Sequence, residues 1–204
     1  HDIEVLPIWA DFTKGHPIPA CEAAVRSRAI YFPGSTVGNF SRSDAASLLR
    51  TFHAMIQEQP EEELSGGPGA VVVGFDCKKD QDRMEAAYND SEGVTAEFNY
   101  NVIDRLADEL GVALNRDKFS FRADWVEDEG AIVSRLWVDE SHSVEMAGGA
   151  VTFEAGEAIR MEESHKYTPK EFELLAEQSG LGLEKIWTDN AGDFAVACLR
   201  PLSV

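Results

Sequence analysis

The stretch "FPGSTVGN", residues 32–39, places glycines, small hydroxyl side chains and an asparagine directly after a short apolar run. Gly34 and Gly38 leave space above the backbone, so a ligand can approach the main chain closely. Asn39 carries an amide that both donates and accepts hydrogen bonds. The GxxxxGK[ST] spacing of a phosphate-binding loop is absent. The stretch is therefore either a binding turn for a small polar molecule or an ordinary tight connection between a strand and a helix.

A second pair of residues with binding chemistry, Asp11 and Phe12, follows the apolar run Val5–Trp9. A carboxylate at a strand end can accept from an adenine amino group while a neighbouring aromatic ring packs on the base. The alternative is a turn aspartate followed by a core phenylalanine. Asp76 follows the apolar run Ala70–Phe75 and lies at another predicted strand end.

The elements that must position these residues follow from the apolar pattern. Val5–Trp9, Ala29–Phe32 and Ala70–Phe75 are predicted strands. A helix with Ser43 as its N-cap is predicted between the last two. Its apolar positions recur at three- and four-residue spacing: Ala45, Leu48, Leu49, Phe52, Met55 and Ile56. A strand, a helix and a second strand predict a parallel α/β sheet, whose ligands bind beyond the carboxyl ends of the strands.

The middle of the chain, residues 81–166, has a different character. Two helices are predicted, and the second ends at the C-cap Gly111. Alternating segments then indicate antiparallel strands. The apolar face expected for the second helix comprises Val94, Phe98, Val102, Ile103, Leu106 and Leu110. We therefore predict an α+β insertion at residues 81–166, between an α/β part at 1–80 and its continuation at 167–204.

The last segment opens with a helix signal, in which Thr168 is the N-cap, Pro169 the first helical residue and Glu171 the third. The stretches "LEKIWTD" and "FAVACLRP" then predict a hairpin across "NAGD". A helix followed by a terminal antiparallel hairpin resembles the ending of the Rossmann-like methyltransferase fold.

The composition excludes several functions. Asp and Glu number 37 against 18 Lys and Arg, for a formal charge of −19. This excess repels phosphate backbones and anionic lipid, so we expect neither a nucleic-acid nor a membrane partner. The histidines are scattered, and no metal site is expected. The cysteines (Cys21, Cys77 and Cys198) form no CxxC pair, which favours reduced thiols and a cytoplasmic location.

Several blocks together are similar to the histidine-specific, S-adenosylmethionine-dependent methyltransferases. They are "FPGSTVGNF", "AAYND", "GVTAEFNYNVIDRLADELG", "MEESHKY" and the closing "WTD…FAVACL". They occur in order over nearly the whole chain. The resemblance implies the later strands and terminal antiparallel hairpin of a Rossmann-like class I methyltransferase sheet, with an α+β substrate-binding insertion.

The resemblance also implies the cofactor, S-adenosylmethionine, and the residues that bind it. Asp11 and Phe12 correspond to the pair at the adenine. Gly34 and Thr36 correspond to the turn positions beside the methionyl end. No residue of the chain is assigned a catalytic proton transfer, and no metal is implied.

The implied substrate is a small molecule, histidine or a related amino acid, methylated on its α-amino group. Asn39 corresponds to the residue that holds the amino-acid head, and Tyr88 to one that binds the carboxylate. Glu162 and Ser164 correspond to the two residues that bind the imidazole ring. Ser134 stands where we expect the family to carry a methionine that lines the substrate site. A non-histidine amine therefore remains an alternative substrate.

The family's glycine-rich cofactor loop and its ribose-binding carboxylate are not found in these 204 residues. We expect both in an upstream part of a longer protein, and we expect the 204 residues alone to be inactive. The alternative from another class is a non-catalytic binding or structural module that retains the fold.

Overall fold

The protein is described here by a computed structural model, which covers residue 3 and residues 5–19, 25–57, 67–146 and 148–202. Cys21 lies outside these described residues. The chain divides into two compact units. The first comprises His1–Lys78 and His165–Val204, and the second comprises Lys79–Ser164.

The first unit is built on a four-stranded sheet of β1 (Ala29–Phe32), β2 (Ala70–Asp76), β8 (Leu181–Thr188) and β9 (Phe194–Pro201). The spatial order is β1-β2-β9-β8. Strands β1 and β2 are parallel, whereas β9 runs antiparallel to both of its neighbours. The predicted parallel pair and the predicted terminal hairpin are both confirmed.

Two helices complete the first unit, α1 (Arg42–Gln57) and α4 (Pro169–Glu177). All six predicted apolar positions of α1 are buried. The Ser41 hydroxyl accepts from the N–H of Asp44 at 3.1 Å, so Ser41 caps α1, and the prediction of Ser43 was wrong by two residues. At α4, Thr168 and Glu171 form the predicted capping box.

The prediction of a strand at Val5–Trp9 was wrong. This segment is irregular and exposed, and the ring of Trp9 is fully accessible. A β-branched run becomes a strand only when a neighbour accepts and donates its backbone hydrogen bonds. Among the described residues none pairs with this segment.

The second unit contains α2 (Gln81–Tyr88), α3 (Val94–Leu110) and two sheets. The larger sheet has the order β3-β4-β7, formed by β3 (Phe119–Val126), β4 (Ala131–Val138) and β7 (Ala158–His165). The smaller sheet is a hairpin of β5 (His142–Met146) and β6 (Gly149–Phe153).

Helix α3 ends at Gly111, which is left-handed with φ 63° as predicted, but its buried face differs from the expected one. Only Asn99 and Ile103 are buried. Val94, Phe98 and Leu110 are exposed instead. Positions spaced by four residues drift by about 40° per step around a helix, so they do not share one face over four turns.

Candidate functional site

The glycine turn lies at the carboxyl end of β1. Residues Thr36–Asn39 form a short 3-10 helix, in which Val37 and Gly38 are buried. Ser35 precedes it with φ 59°, the left-handed region, and it is the one non-glycine residue of positive φ in the described parts of the chain. Such a conformation is uncommon for a residue with a Cβ, so the surrounding structure must hold it.

Strand β2 supplies that support. A Cβ added at Gly74 would lie 2.0 Å from the carbonyl oxygen of Pro33, so only glycine lets β1 and its turn come this close. The N–H of Asp76 donates to the Ser35 hydroxyl at 3.0 Å. The turn is therefore fixed to the carboxyl end of its parallel neighbour, which is the edge where α/β sheets bind ligands.

Above Gly34 the turn is open. A Cβ added there would meet only the Thr36 hydroxyl within 4 Å, at 3.7 Å. The backbone at this position therefore has room for an atom group of a ligand.

The predicted adenine pair lies in the same unit. Phe12 is part of a 3-10 helix, and its ring centroid is 5.6 Å from that of Phe32 and 6.4 Å from that of Phe40. These two rings flank the glycine turn in the chain. The structure thus brings Phe12, which is 43% exposed, to both ends of the turn.

Asp11 caps this 3-10 helix rather than ending a strand. Its carboxylate accepts from the hydroxyl of Thr13 at 2.6 Å and from the N–H of Thr13 at 3.0 Å. These bonds, with Lys14 nearby, hold the pKa of Asp11 below its ordinary value. The group is therefore an ionised acceptor at neutral pH.

An open pocket adjoins this region, with a volume of about 340 Å³. It lies against the exposed side of α1, and its lining comprises Thr13, Phe40, Asp44, Ser47 and Leu48. None of these residues was predicted from the sequence to bind a ligand, because each is an ordinary helix or turn residue in its local context.

In the second unit the structure joins two predicted substrate residues. Tyr88, the last residue of α2, donates its hydroxyl proton to the Ser164 hydroxyl at 2.8 Å. Ser164 lies near the end of β7 and is 8% exposed. Glu162 lies two positions earlier on the same strand and therefore on the same face as Ser164.

Helix α2 is held in place by the residue after Tyr88. The Asn89 amide donates to the carbonyl of Ala123 at 2.7 Å and accepts from its N–H at 2.9 Å. Tyr88 itself packs beside Met84 and Ala123. These two hydrogen bonds to β3 fix the end of α2, and with it the position of Tyr88.

Ser134 lies on β4, directly opposite Ala123 in the antiparallel register. It is 2% exposed, and Ala123 is 1% exposed. The two small side chains thus form a closely packed pair beside the helix that carries Tyr88.

Sequence reasoning missed a polar cluster at the carboxyl end of β2. The ammonium of Lys166, which is 1% exposed, lies 2.7 Å from the Asp76 carboxylate. Arg42 donates to the carbonyl of Lys166 at 2.8 Å, and its guanidinium stacks 3.9 Å above the centroid of the Tyr167 ring. Only the position of Asp76 at a strand end hinted at this cluster.

Within the described residues, no group of three or more His, Cys, Asp or Glu side chains is arranged to hold a metal ion. Helices long and apolar enough to cross a bilayer are likewise absent from the described parts of the chain.

The parallel pair β1–β2, with antiparallel β9 placed between β2 and β8, agrees with the α/β sheet predicted for the class I methyltransferase fold. The sequence model of the histidine-specific, S-adenosylmethionine-dependent methyltransferases matches residues 1–201. The chain therefore belongs to this family.

Three relatives illustrate the similarity. A histidine N-alpha-methyltransferase of Mycolicibacterium smegmatis is 34% identical over 176 residues, 85% of this chain and 52% of the relative. Ergothioneine biosynthesis protein 1 of Neurospora crassa is 28% identical over 84% of this chain and 18% of its own length. A 4-dimethylallyltryptophan N-methyltransferase of Aspergillus fumigatus is 28% identical over 86% of this chain and 51% of its own length. The chain thus spans about half the length of the mycolicibacterial relative.

Proposed function

We propose that the protein is an S-adenosylmethionine-dependent N-methyltransferase that acts on the α-amino group of histidine or a related amino acid. The observation that carries this proposal is the hydrogen bond between Tyr88 and Ser164, residues 76 positions apart in the chain. The family pattern assigns both to amino-acid binding. Their contact supports this role because it places two residues assigned to the same substrate side by side.

The first unit offers residues that fit the cofactor. Gly34 leaves open space beside Thr36. Asp11 is an ionised acceptor, and the exposed ring of Phe12 offers an aromatic face. When bound, S-adenosylmethionine supplies a methyl group on a sulfonium centre. The residues of this chain would hold and orient it, with Asp11 and Phe12 at the adenine and Gly34 and Thr36 near the methionyl end.

The substrate residues are suited to orienting an amine. Methyl transfer needs a neutral amine with its lone pair directed at the methyl group, so orientation and exclusion of water matter more than covalent chemistry. The side chains of Asn39 and of Tyr88 can each hydrogen-bond an amino-acid head without adding a full charge. Glu162 accepts from one N–H of an imidazole, and the Ser164 hydroxyl bonds the other ring nitrogen.

A second candidate is methylation of a non-histidine amine. The buried Ser134 replaces the methionine that the family pattern leads us to expect, and one relative is named for a substituted tryptophan. An aromatic amino acid such as tryptophan is therefore the principal rival substrate.

The test uses the full-length protein, incubated with S-adenosylmethionine and, separately, with histidine, tryptophan and phenylalanine. Methylated products are quantified by mass spectrometry, and kcat/KM is compared among the three. We expect the highest value for histidine. A higher value for tryptophan supports the second candidate. Cofactor binding by calorimetry without methylation of any of the three contradicts an enzymatic role and supports a non-catalytic module.

We also propose a cytoplasmic location for the protein. The sequence has three cysteines and no CxxC pair, which favours reduced thiols in a reducing compartment. The test is to permeabilise the cell envelope selectively and to measure in which fraction a tagged form of the protein is released.

A further inference from the structure

The glycine turn is attached at both ends to one short junction of the first unit. Before the turn, the Ser35 hydroxyl accepts from the N–H of Asp76. After the turn, Arg42 donates to the carbonyl of Lys166. Asp76 and Lys166 are themselves joined by an ion pair of 2.7 Å. The segment that carries Thr36 and Asn39 is therefore held by a hydrogen bond before it and another after it, and both bonds lead to the Asp76–Lys166 ion pair.

The ion pair is more than a surface contact. The Lys166 side chain is 1% exposed and Asp76 is 24% exposed. A buried ammonium is strongly disfavoured unless a carboxylate and hydrogen bonds replace its water. The position of Lys166 is thus set by Asp76, and the backbone bond from Tyr167 N–H to the Asp76 carbonyl, 3.2 Å, adds to the constraint.

The junction also stabilises an uncommon backbone. Ser35 adopts φ 59°, and a serine holds this conformation only when other contacts compensate. The hydrogen bond from Asp76 is such a contact, and the close approach of Pro33 to Gly74 is another.

We propose that Lys166 is a positioning residue for the methyl transfer proposed above. Its ion pair with Asp76 fixes the junction, and the junction holds the turn through Ser35 and Arg42. The turn in turn sets the placement of Thr36 at the cofactor and of Asn39 at the amino-acid head. Lys166 itself contacts neither ligand in this scheme. The expected change in kcat rests on the proposed function. The expected change in the exchange of the turn rests on the geometry alone.

The experiment compares Lys166→Met with Lys78→Met in the full-length protein. Lys78 makes a partly buried ion pair of 2.6 Å with Glu171 in the same unit. Its side chain does not pair with Asp76, and its backbone N–H bond to the Tyr167 carbonyl, 3.1 Å, is kept in the variant. Methionine keeps most of each stem and removes the charge. For both variants we measure the melting temperature, kcat and KM for histidine, calorimetric affinity for S-adenosylmethionine, and amide hydrogen exchange across residues 34–39.

For Lys166→Met we expect kcat/KM to fall by about tenfold to a hundredfold, because misplacement of a bound group by a fraction of an ångström is costly. The fall should lie mainly in kcat, with cofactor affinity changed by less than about threefold. Exchange at residues 34–39 should accelerate. Lys78→Met should change the melting temperature by a similar amount and leave kcat and the exchange of the turn as in the wild type.

A third variant, Ser35→Ala, removes the other anchor and should reproduce the Lys166→Met phenotype. The double variant should be little worse than either single one, because both act through the same junction. If Lys166→Met retains wild-type kcat and wild-type exchange at the turn, the proposal is overturned. If the two lysine variants lose activity equally and in proportion to stability, Lys166 is only structural and the proposal again fails.

Failure of the proposed function and failure of the positioning role give different experimental results. A wild-type protein that methylates none of the amino acids refutes the proposed function. Faster exchange of the turn in Lys166→Met, but not in Lys78→Met, would still support the positioning role in that case.

Discussion

The hydroxyl of Tyr88 donates to the hydroxyl of Ser164 at 2.8 Å. One residue ends a helix and the other lies near the end of a strand of the same unit. The family pattern assigns Tyr88 to the carboxylate and Ser164 to the ring of the substrate, so the two ends of a bound histidine would approach residues already in contact. A hydroxyl that accepts one hydrogen bond retains its own O–H as a donor. In this arrangement the pair has one free donor, the Ser164 O–H, and Tyr88 must turn its own O–H away from Ser164 to donate to a substrate carboxylate.

Tyr88→Phe should weaken amino-acid binding by about 1.5–3 kcal/mol, since it removes one hydrogen bond to a charged carboxylate. The loss should be similar for histidine and phenylalanine, because every amino acid carries the carboxylate. The measurement is KM for both substrates. Tyr100→Phe is the control, because the Tyr100 hydroxyl bonds only backbone groups of Phe119 and Phe121 in the contacts described. An equal change in KM in both variants would remove Tyr88 from the binding residues.

Asn39→Ala should lower affinity for the amino acid by about 1.5–3 kcal/mol while cofactor affinity changes little. The asparagine loses its hydrogen bonds to the amino-acid head, whereas the backbone of the turn remains held by Ser35. Calorimetry with each ligand in the full-length protein separates the two effects. An equal loss for the cofactor would show that Asn39 has been given the wrong role.

Glu162→Gln keeps the shape of the side chain and removes its charge. It should reduce kcat/KM for histidine by the equivalent of about 1.5–3 kcal/mol and leave phenylalanine nearly unchanged, because phenylalanine has no N–H in its side chain. Glu163→Gln is the matched control. Glu163 is the next residue along β7, on the opposite face, and it pairs with Arg160 at 2.8 Å. An unchanged histidine-to-phenylalanine ratio in Glu162→Gln would contradict the imidazole assignment.

Ser134→Met should destabilise the protein by about 1–3 kcal/mol, because a long side chain is forced between buried strands. Ser134 is 2% exposed and faces the equally buried Ala123. Urea unfolding provides the measurement, and Ser143→Met on the exposed side of β5 is the control. Unchanged stability, combined with tighter histidine binding, would show instead that position 134 borders a cavity that accepts the methionine.

The stability of the fold should depend on pH in the acidic range because of Glu171. Burial raises its pKa, but the bonds from Lys78 and Thr168 outweigh this effect, and the pKa is lowered from its ordinary 4.5. The contribution is therefore fully present above pH 4.5 and is lost as the pH falls through the lower folded value. Wild type and Glu171→Gln should differ in melting temperature at neutral pH and converge in acid. Glu177→Gln, exposed at the end of the same helix, should show no such convergence.

Local rules predicted much of this structure because their causes are local. The apolar spacing of α1 found its buried face, and the capping box at Thr168 marked the start of α4. The left-handed C-cap at Gly111 likewise follows from a single residue type. Such features depend on contacts within four residues.

Other features could not be predicted because they depend on distant partners. Val5–Trp9 has the composition of a strand, yet pairing decides whether a strand forms. The burial of Lys166 depends on Asp76, which is remote in the chain, and a lysine in "SHKY" gives no local sign of it. The contact of Tyr88 with Ser164 was not predicted either. The resemblance to the family assigned each residue to the substrate, but it did not indicate that the two side chains touch.

The placement of β9 has a consequence for how the chain acquires its structure. Val71 of β2 pairs with Leu199 near the end of the chain, and the whole second unit is synthesised between them. Strand β2 therefore leaves the ribosome before its antiparallel neighbour exists, and its edge stays unpaired until β9 has been synthesised. Such high contact order slows folding, whereas the hairpins of residues 79–164 can form from local contacts during synthesis. The edge of β2 is therefore open to pairing with another chain in the interval between the emergence of β2 and the arrival of β9.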